Sequence, residues 1–273
     1  MSIVAISQTV GSLGDEIGRE LARILSWEFA DREIIARAAE QYGEGVMELA
    51  HVTEEKPTLW ERFTDTKRRY LTYVEAILLE MAARDNVILS GRGATILLGK
   101  VRHAFRVRIT ASEAVRARRV EQLHGLVGDA ALDFVRETDR ERAARVKFLY
   151  HVDWEDPLLY ELVLNTDRLA VSQAARLVHE ALQDERFRPT PESLMEVKDL
   201  SLTTQAKAAL LAHPATRSLE LFAACKSGHL AISGIVEQES QRQAAEEIVA
   251  GIPGLRRVLN QIVVVPRTPS PVA

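Results

Sequence analysis

Ile3-Val4-Ala5-Ile6-Ser7-Gln8-Thr9-Val10-Gly11-Ser12-Leu13-Gly14-Asp15-Glu16-Ile17 is the stretch that decides the fold. Four apolar residues lead into a turn with two glycines. Helical periodicity follows, with Ile17, Leu21, Ile24 and Leu25 on one face. Strand, glycine turn and helix start make the layout in which backbone N–H groups cradle a phosphate. The commonest such loop ends in Gly-Lys-Ser/Thr, but here Gly14 is followed by Asp15 and Glu16, and the loop has no lysine. Acids in a helix's first turn suit its dipole and repel an anionic ligand. They serve a phosphate only if a carboxylate holds a bridging Mg²⁺.

Outward from that stretch, helical and strand-like segments alternate. Tyr70, Tyr73, Val74, Ile77, Leu78 and Met81 share one helical face, as do Val171, Ala174, Ala175, Val178 and Leu182. Between them lie short apolar runs at Val87-Ile88-Leu89, at Phe105, Val107 and Ile109, and at Leu162-Val163-Leu164. Such alternation predicts a parallel sheet covered on both faces, an α/β domain over residues 1–183. Residues 184–193, within a charged stretch carrying Pro189 and Pro191, read as a linker. Leu202, Ala206, Ala209 and Leu210 then line a helix. Strands follow at Leu219 to Ala223 and Leu230 to Val236 with a turn at Lys226 to Gly228, then a helix around Ala244 to Val249 and a strand Ile262 to Val265. This αββαβ order predicts a small α+β domain over 194–266, followed by a disordered tail, 267–273.

Composition narrows the function classes. A chain of 273 residues with a net charge of −4 lacks the basic surplus of a general nucleic-acid binder. Its one cysteine, Cys225, excludes an internal disulfide framework and suits a reducing compartment. No apolar run approaches the ~20 residues that span a bilayer. With no basic leader ahead of the first strand, a cytoplasmic protein is expected. The seven histidines show no metal-ligand spacing, and Trp27, Trp60 and Trp154 read as packing anchors.

Three places carry candidate chemistry. Gly11, Ser12, Gly14, Asp15 and Glu16 form the loop that would face donor phosphates. Val87 to Leu97, "VILSGRGATIL", sets Arg92 between two glycines at the carboxyl end of a strand, where open α/β sheets bind ligands. Glycines there clear the approach for bidentate phosphate contact. The third place is a run of arginines, Arg116, Arg118 and Arg119, then Arg136, Arg140, Arg142 and Arg145, interleaved with Glu137, Asp139 and Glu141. Spacings of three and four make this an ordinary solvated face. Phosphoryl transfer, however, needs positive side chains around the moving group, and a mobile arginine-bearing lid is the usual provider.

These residues together resemble the cytidylate kinase-like family, a divergent branch of the P-loop nucleoside monophosphate kinases, over residues 1–183. "GSLGDEIGRELARIL" resembles the branch's glycine loop and helix, in which the lysine is commonly absent. Gly14 occupies the lysine position, Glu16 the Mg²⁺-binding hydroxyl position, and Asp15 reverses the charge of the branch's usual arginine. "FADREIIARAAE" resembles the segment whose aspartate and arginine contact the acceptor, placing Asp31 and Arg37 there. "SGRGATIL" resembles the Gly-Arg-Asp monophosphate site, with Arg92 in the arginine's place and Gly93 replacing the aspartate. "ETDRERAAR" resembles the lid, followed by "VDWEDPLLYELVLNTDRL"; "EEKP" at 54–57 is a further signature.

The resemblance implies a P-loop NTPase-type sheet using ATP and Mg²⁺. Asp31, Arg37, Arg92, Arg136 and Asp139 would hold a nucleotide or other small phosphorylated acceptor, CMP by default. Arg140, Arg142 and Arg145 would close over the transferred group. Residues 194–266 resemble a BON domain, through the glycine before the second strand, the alanine-rich helix and the "VLNQIVVV" ending. That implies a module for a lipid, small-molecule or protein ligand, and a homo-oligomer is possible. A catalytically inactive nucleotide sensor or scaffold regulated through the BON unit stands as the alternative.

Overall fold

The computed structural model describes residues 2–31, 33–47 and 65–266, with the side chains of 65–70 left aside. The signature at 54–57, Trp60 and the tail 267–273 lie outside the described residues.

Five strands, β1 (Ile3–Gln8), β2 (Glu28–Ala30), β3 (Val87–Ser90), β4 (Ala104–Thr110) and β5 (Leu162–Asn165), pair in the order β2-β3-β1-β4-β5. Every pairing is parallel. The three apolar runs read from sequence are β3, β4 and β5; β2, three residues long, is too short to show a period. Alternate residues divide the sheet's two faces. Val4 and Ile6 pack with α1 (Gly14–Leu25) and α7 (Val171–Ala181). Ile3 and Ala5 pack with α2 (Glu33–Tyr42) and α3 (Asp65–Ala83) on the other side. The central strands β1 and β3 are therefore buried on both faces, which is why they read as continuous apolar runs.

A short helix, α4 (Ala94–Leu97), follows β3. Two more helices, α5 (Glu113–His124) and α6 (Asp129–Tyr150), form a hairpin with its own small core of Ala117, Val120, Ala131 and Val135, against which Val10 of the glycine loop packs. This is the arginine-rich segment.

The second sheet runs β6 (Leu221–Lys226), β7 (His229–Val236) and β8 (Arg257–Val264), with β6 antiparallel and β8 parallel to β7. Its inner face packs on α8 (Pro191–Ala212) and α9 (Glu239–Ala250). Thr190 caps α8 by accepting from Ser193 N, and Pro191 at the first helical position needs no partner for a missing N–H. Within 184–193, Glu185–Phe187 forms a 3-10 turn; the Phe187 ring meets Phe105 edge-on, and its carbonyl accepts from Ser2 Oγ.

Two faces of α8 serve two cores. Ala206 and Leu210 point into the small sheet's core, while Val197 and Ala208 join the core around α3. Asp199 accepts from the amides of Ser227 and Gly228, holding the β6–β7 turn, where Gly228 takes φ +77°.

Candidate active site

Leaving β1, the chain turns through Thr9 to Leu13 before entering α1. Gly11 and Leu13 take left-handed φ of 73° and 65°. The loop carbonyls are claimed from outside: Arg119 donates to Gly11 O, Thr166 Oγ1 to Ser12 O, and Arg142 to Gln8 O at 2.9 Å. Ser12 is buried, and its hydroxyl donates to Thr9 O. Arg116, itself buried, ties the loop to the hairpin through Val10 O and a 2.7 Å ion pair with Asp139. No side chain caps α1 among the described residues, so its first-turn amides are left for an outside acceptor. The backbone is thus shaped for an anion.

The missing lysine has a physical counterpart. A Cβ at Gly14 would come within 2.2 Å of Gln8 Oε1 and 2.7 Å of Gln8 Cβ. The Gln8 amide fills that space and donates to Asp15 Oδ1 (2.5 Å) and Ser90 Oγ (3.3 Å); Ser90 Oγ donates to the same Asp15 oxygen at 2.9 Å. Asp15 is consequently fixed between β1 and β3, with Oδ2 making no hydrogen bond among the described residues. Glu16 is exposed.

Beside the loop lies a cavity of about 320 Å³ at the carboxyl ends of β1 and β3, roofed by α3 and α6. Asp15, Asp31, Arg92, Arg142 and Arg145 all line it. Arg92 is held there by φ +54°, a left-handed conformation between Gly91 and Gly93. Burial pulls the Arg142 guanidinium down from its usual value, opposed by Asp139, Asp15 and Asp31, with Arg92 adding to the depression. Where the family signature carries aspartate, Gly93 leaves room that Tyr150 takes, its hydroxyl 2.4 Å from a would-be Cβ. Burial and then Glu75 push the Tyr150 phenol well up, so it stays protonated.

The other expected site residues fall elsewhere. Arg37 lies on the outer face of α2, paired with Glu28 at 2.8 Å and half exposed. Arg136 pairs with Glu113 and Arg140 with Glu137 on the hairpin's surface. Asp139 is engaged by Arg116.

Cavity residues to which the sequence reading gave no site role include Glu75, Tyr150, Tyr160 and Trp154. Trp154 is buried, with the Arg108 guanidinium over its ring at 4.4 Å. Glu75 had a legible signal: it interrupts the inward stripe of α3 one turn after Leu71 and one before Leu79.

The sheet order, loop and cavity define a P-loop kinase-type domain. Residues 3–168, more than half of the sequence, match the cytidylate kinase-like family, and the chain belongs to it. Residues 198–266 match the BON domain. A cytidylate kinase of Pyrobaculum calidifontis is 31% identical over 178 residues, 65% of this chain and 90% of that protein. A cytidylate kinase of Methanopyrus kandleri is 26% identical over 204 residues, 70% of this chain and all of that one. The fold is shared with an uncharacterized protein from Eubacterium ventriosum at a TM-score of 0.53 and 16% identity, covering 68% of this chain and 100% of the other. Among the described residues no helix is long and apolar enough to cross a membrane, and no group of three or more His, Cys, Asp or Glu could hold a metal ion.

Proposed function

We propose that the first domain transfers the γ-phosphoryl group of ATP to a nucleoside monophosphate, with CMP as the first candidate. The observation that carries this reading is the gathering of Arg92, Arg142 and Arg145 with Asp31 in one cavity beside an uncapped helix start. Cations there would hold an acceptor phosphate and offset charge on the transferring group, the chief demand of phosphoryl transfer. First-turn amides of α1, with Gly11 and Gly14 giving backbone access, suit the donor phosphates. Asp15, whose Oδ2 makes no hydrogen bond among the described residues, fits a single-carboxylate Mg²⁺ site completed by phosphates and water. When bound, the ion would neutralise phosphate charge beside Asp15.

Within this reading Arg142, bonded to Gln8 O at the loop's start, stands in for the absent lysine. Arg145 and Arg92 grip the acceptor phosphate and Asp31 orients its sugar. The units divide near 183 and 194, and the BON unit binds a lipid, small molecule or protein. An ATP-dependent role suits the cytoplasm.

The test is coupled ATP turnover with Mg²⁺ against CMP, dCMP, UMP and AMP, alongside Arg92→Ala. Acceptor-dependent turnover lost in the variant is expected; no turnover with any acceptor overturns the reading. That result would favour a nucleotide sensor without catalysis, for which the observation is Gln8 filling the lysine's space.

A further inference from the structure

The small sheet has one covered face and one open face. Ala223, Leu230, Ile232 and Ile262 point into the core on α8 and α9. The residues that alternate with them point the other way. Phe222, Ile235, Val263 and Val265 stand 63, 69, 56 and 53% exposed on that outer side. Scattered apolar side chains on a surface are ordinary, but a contiguous apolar face marks an interaction site.

Strand register orders this face along its length. Lys226, His229 and Arg257 form one cross-strand row. Ala224, Ala231 and Leu259 form the next, then Phe222, Ser233 and Gln261. Ile235 pairs with Val263 beyond them. At that far end Glu220 leads into β6 and Glu237 follows β7, both exposed. The face therefore has a basic end, an apolar middle and an acidic end. Among the described residues, Lys226, Arg257 and Glu220 form no ion pair within the chain, so their charges are uncommitted.

We propose that this face docks on the same face of a second copy of the chain, with the strands of the two sheets antiparallel. A two-fold contact must be self-complementary, because each patch meets its own copy. Antiparallel stacking lays the basic end of each sheet over the acidic end of the other. It also sets the row of Ala224, Ala231 and Leu259 against Ile235 and Val263 of the second copy, small Ala231 facing large Ile235. Phe222 meets its own counterpart near the two-fold axis. An anionic membrane would suit only the basic end and would be repelled by Glu220 and Glu237 on the same face. A second copy uses both ends.

Size sets the strength. The eight residues of β7 at about 3.3 Å each, across three strands about 4.8 Å apart, give a footprint of about 26 by 14 Å. Two copies together cover roughly 700 Å², below the ~1,200 Å² typical of stable complexes, so the dimer is weak and reversible. Its formation does not depend on whether the first domain is a kinase.

The experiment is analytical ultracentrifugation of the full chain from about 5 to 500 µM, a range that brackets a micromolar Kd. A sedimentation coefficient that rises from monomer toward dimer is expected. Phe222→Asp should weaken association at least about tenfold, since it places a charge at the centre of the interface. Lys226→Glu combined with Arg257→Glu should do the same by setting like charges opposite one another. Adding Glu220→Lys and Glu237→Lys to that pair exchanges the two ends at unchanged net charge, and this fourfold variant should dimerise again. Its recovery also shows that the twofold variant had not simply unfolded. A full chain that stays monomeric throughout, association untouched by Phe222→Asp, or a fourfold variant no better than the twofold one overturns the proposal. So does a monomer that instead binds phosphatidylglycerol vesicles through Phe222, which would assign the face to a membrane.

Discussion

Restoring the loop lysine by Gly14→Lys should damage the protein rather than improve it. The new Cβ would stand 2.7 Å from Gln8 Cβ and 2.8 Å from Gln8 Cδ, and the Gln8 Cβ is fixed by strand β1. Relief requires the Gln8 amide to swing away, giving up its bonds to Asp15 and Ser90. Overpacking of this kind costs about 1–3 kcal/mol, and each lost hydrogen bond adds about 0.5–1.5 kcal/mol. A loss of roughly 2–6 kcal/mol follows from the overpacking and the two lost bonds. Equilibrium urea unfolding measures it, and ATP titration of the same samples shows whether the lysine reaches a phosphate. Gly14→Ala should retain most of the loss, since the clash begins at Cβ. Gln8→Gly combined with Gly14→Lys should recover at least about 1 kcal/mol through the coupling of adjacent side chains. A Gly14→Lys protein as stable as wild type that binds ATP more tightly would refute the reasoning, showing Gln8 to be a movable plug.

The Glu75 carboxyl, raised from 4.5 to about 7 by burial, makes the native state hold a proton the unfolded chain has released. Wild-type stability should therefore fall as pH rises from about 4.5 to 7 and then level, by up to about 3 kcal/mol at ~1.4 kcal/mol per unit. Glu75→Gln should match wild type near pH 4.5 and exceed it at pH 8 in urea unfolding; an equal pH slope would sink the assignment. Asp139→Asn strips the ionic partner from buried Arg116 and should cost about 2–4 kcal/mol, read as a lower Tm, with Arg116→Met/Asp139→Leu recovering much of it. Arg37→Ala breaks only an exposed pair with Glu28, so stability should change by less than about 1 kcal/mol. Nucleotide affinity should not move, and a tenfold loss would mean that Arg37 swings into the cavity.

Regular elements were legible where periodicity had room to repeat. β1, β3 and β4 are largely buried on both faces and showed as apolar runs, as did the edge strand β5, whose Val163 is exposed, whereas Glu28-Phe29-Ala30 is too brief to display any period. Arg92 could be found because its cue is local, a strand end flanked by glycines that permit φ +54°. The fate of Arg37 was also local: Ile34, Ile35, Ala38 and Ala39 mark the buried side of α2, leaving Arg37 on the other. Gln8 and Tyr150 were not legible. What each does depends on space left by a glycine, at 14 and at 93, and in the second case the two positions lie far apart along the chain. The arginine run divides for the same reason. Arg142 and Arg145 turn toward the cavity and Arg136 and Arg140 toward solvent, but helical spacing alone does not say which face meets the loop.

Helix α8 carries the last consequence. The sequence places it with the second domain, yet Val197 and Ala208 sit in the core built around α3, with Leu200, Leu211 and Ala212 packed against it. α3 in turn supplies the cavity wall at Leu71, Val74 and Glu75. Cutting the chain after residue 190 would remove the α8 residues from that core and uncover what they pack against. Burying one Val or Leu side chain contributes about 1.5–3 kcal/mol, so losing Val197 with the two partly buried leucines removes several kcal/mol from a domain whose whole stability is on the order of 5–15 kcal/mol. Residues 1–190 should therefore melt far below the full chain and bind a dye that reports exposed apolar surface. Residues 1–212 would keep the α3 contacts but expose Ala206 and Leu210, and should fall between the two. If 1–190 melts with the full chain, α8 leans on the first domain without supporting it, and the wall of the cavity is independent of the BON unit.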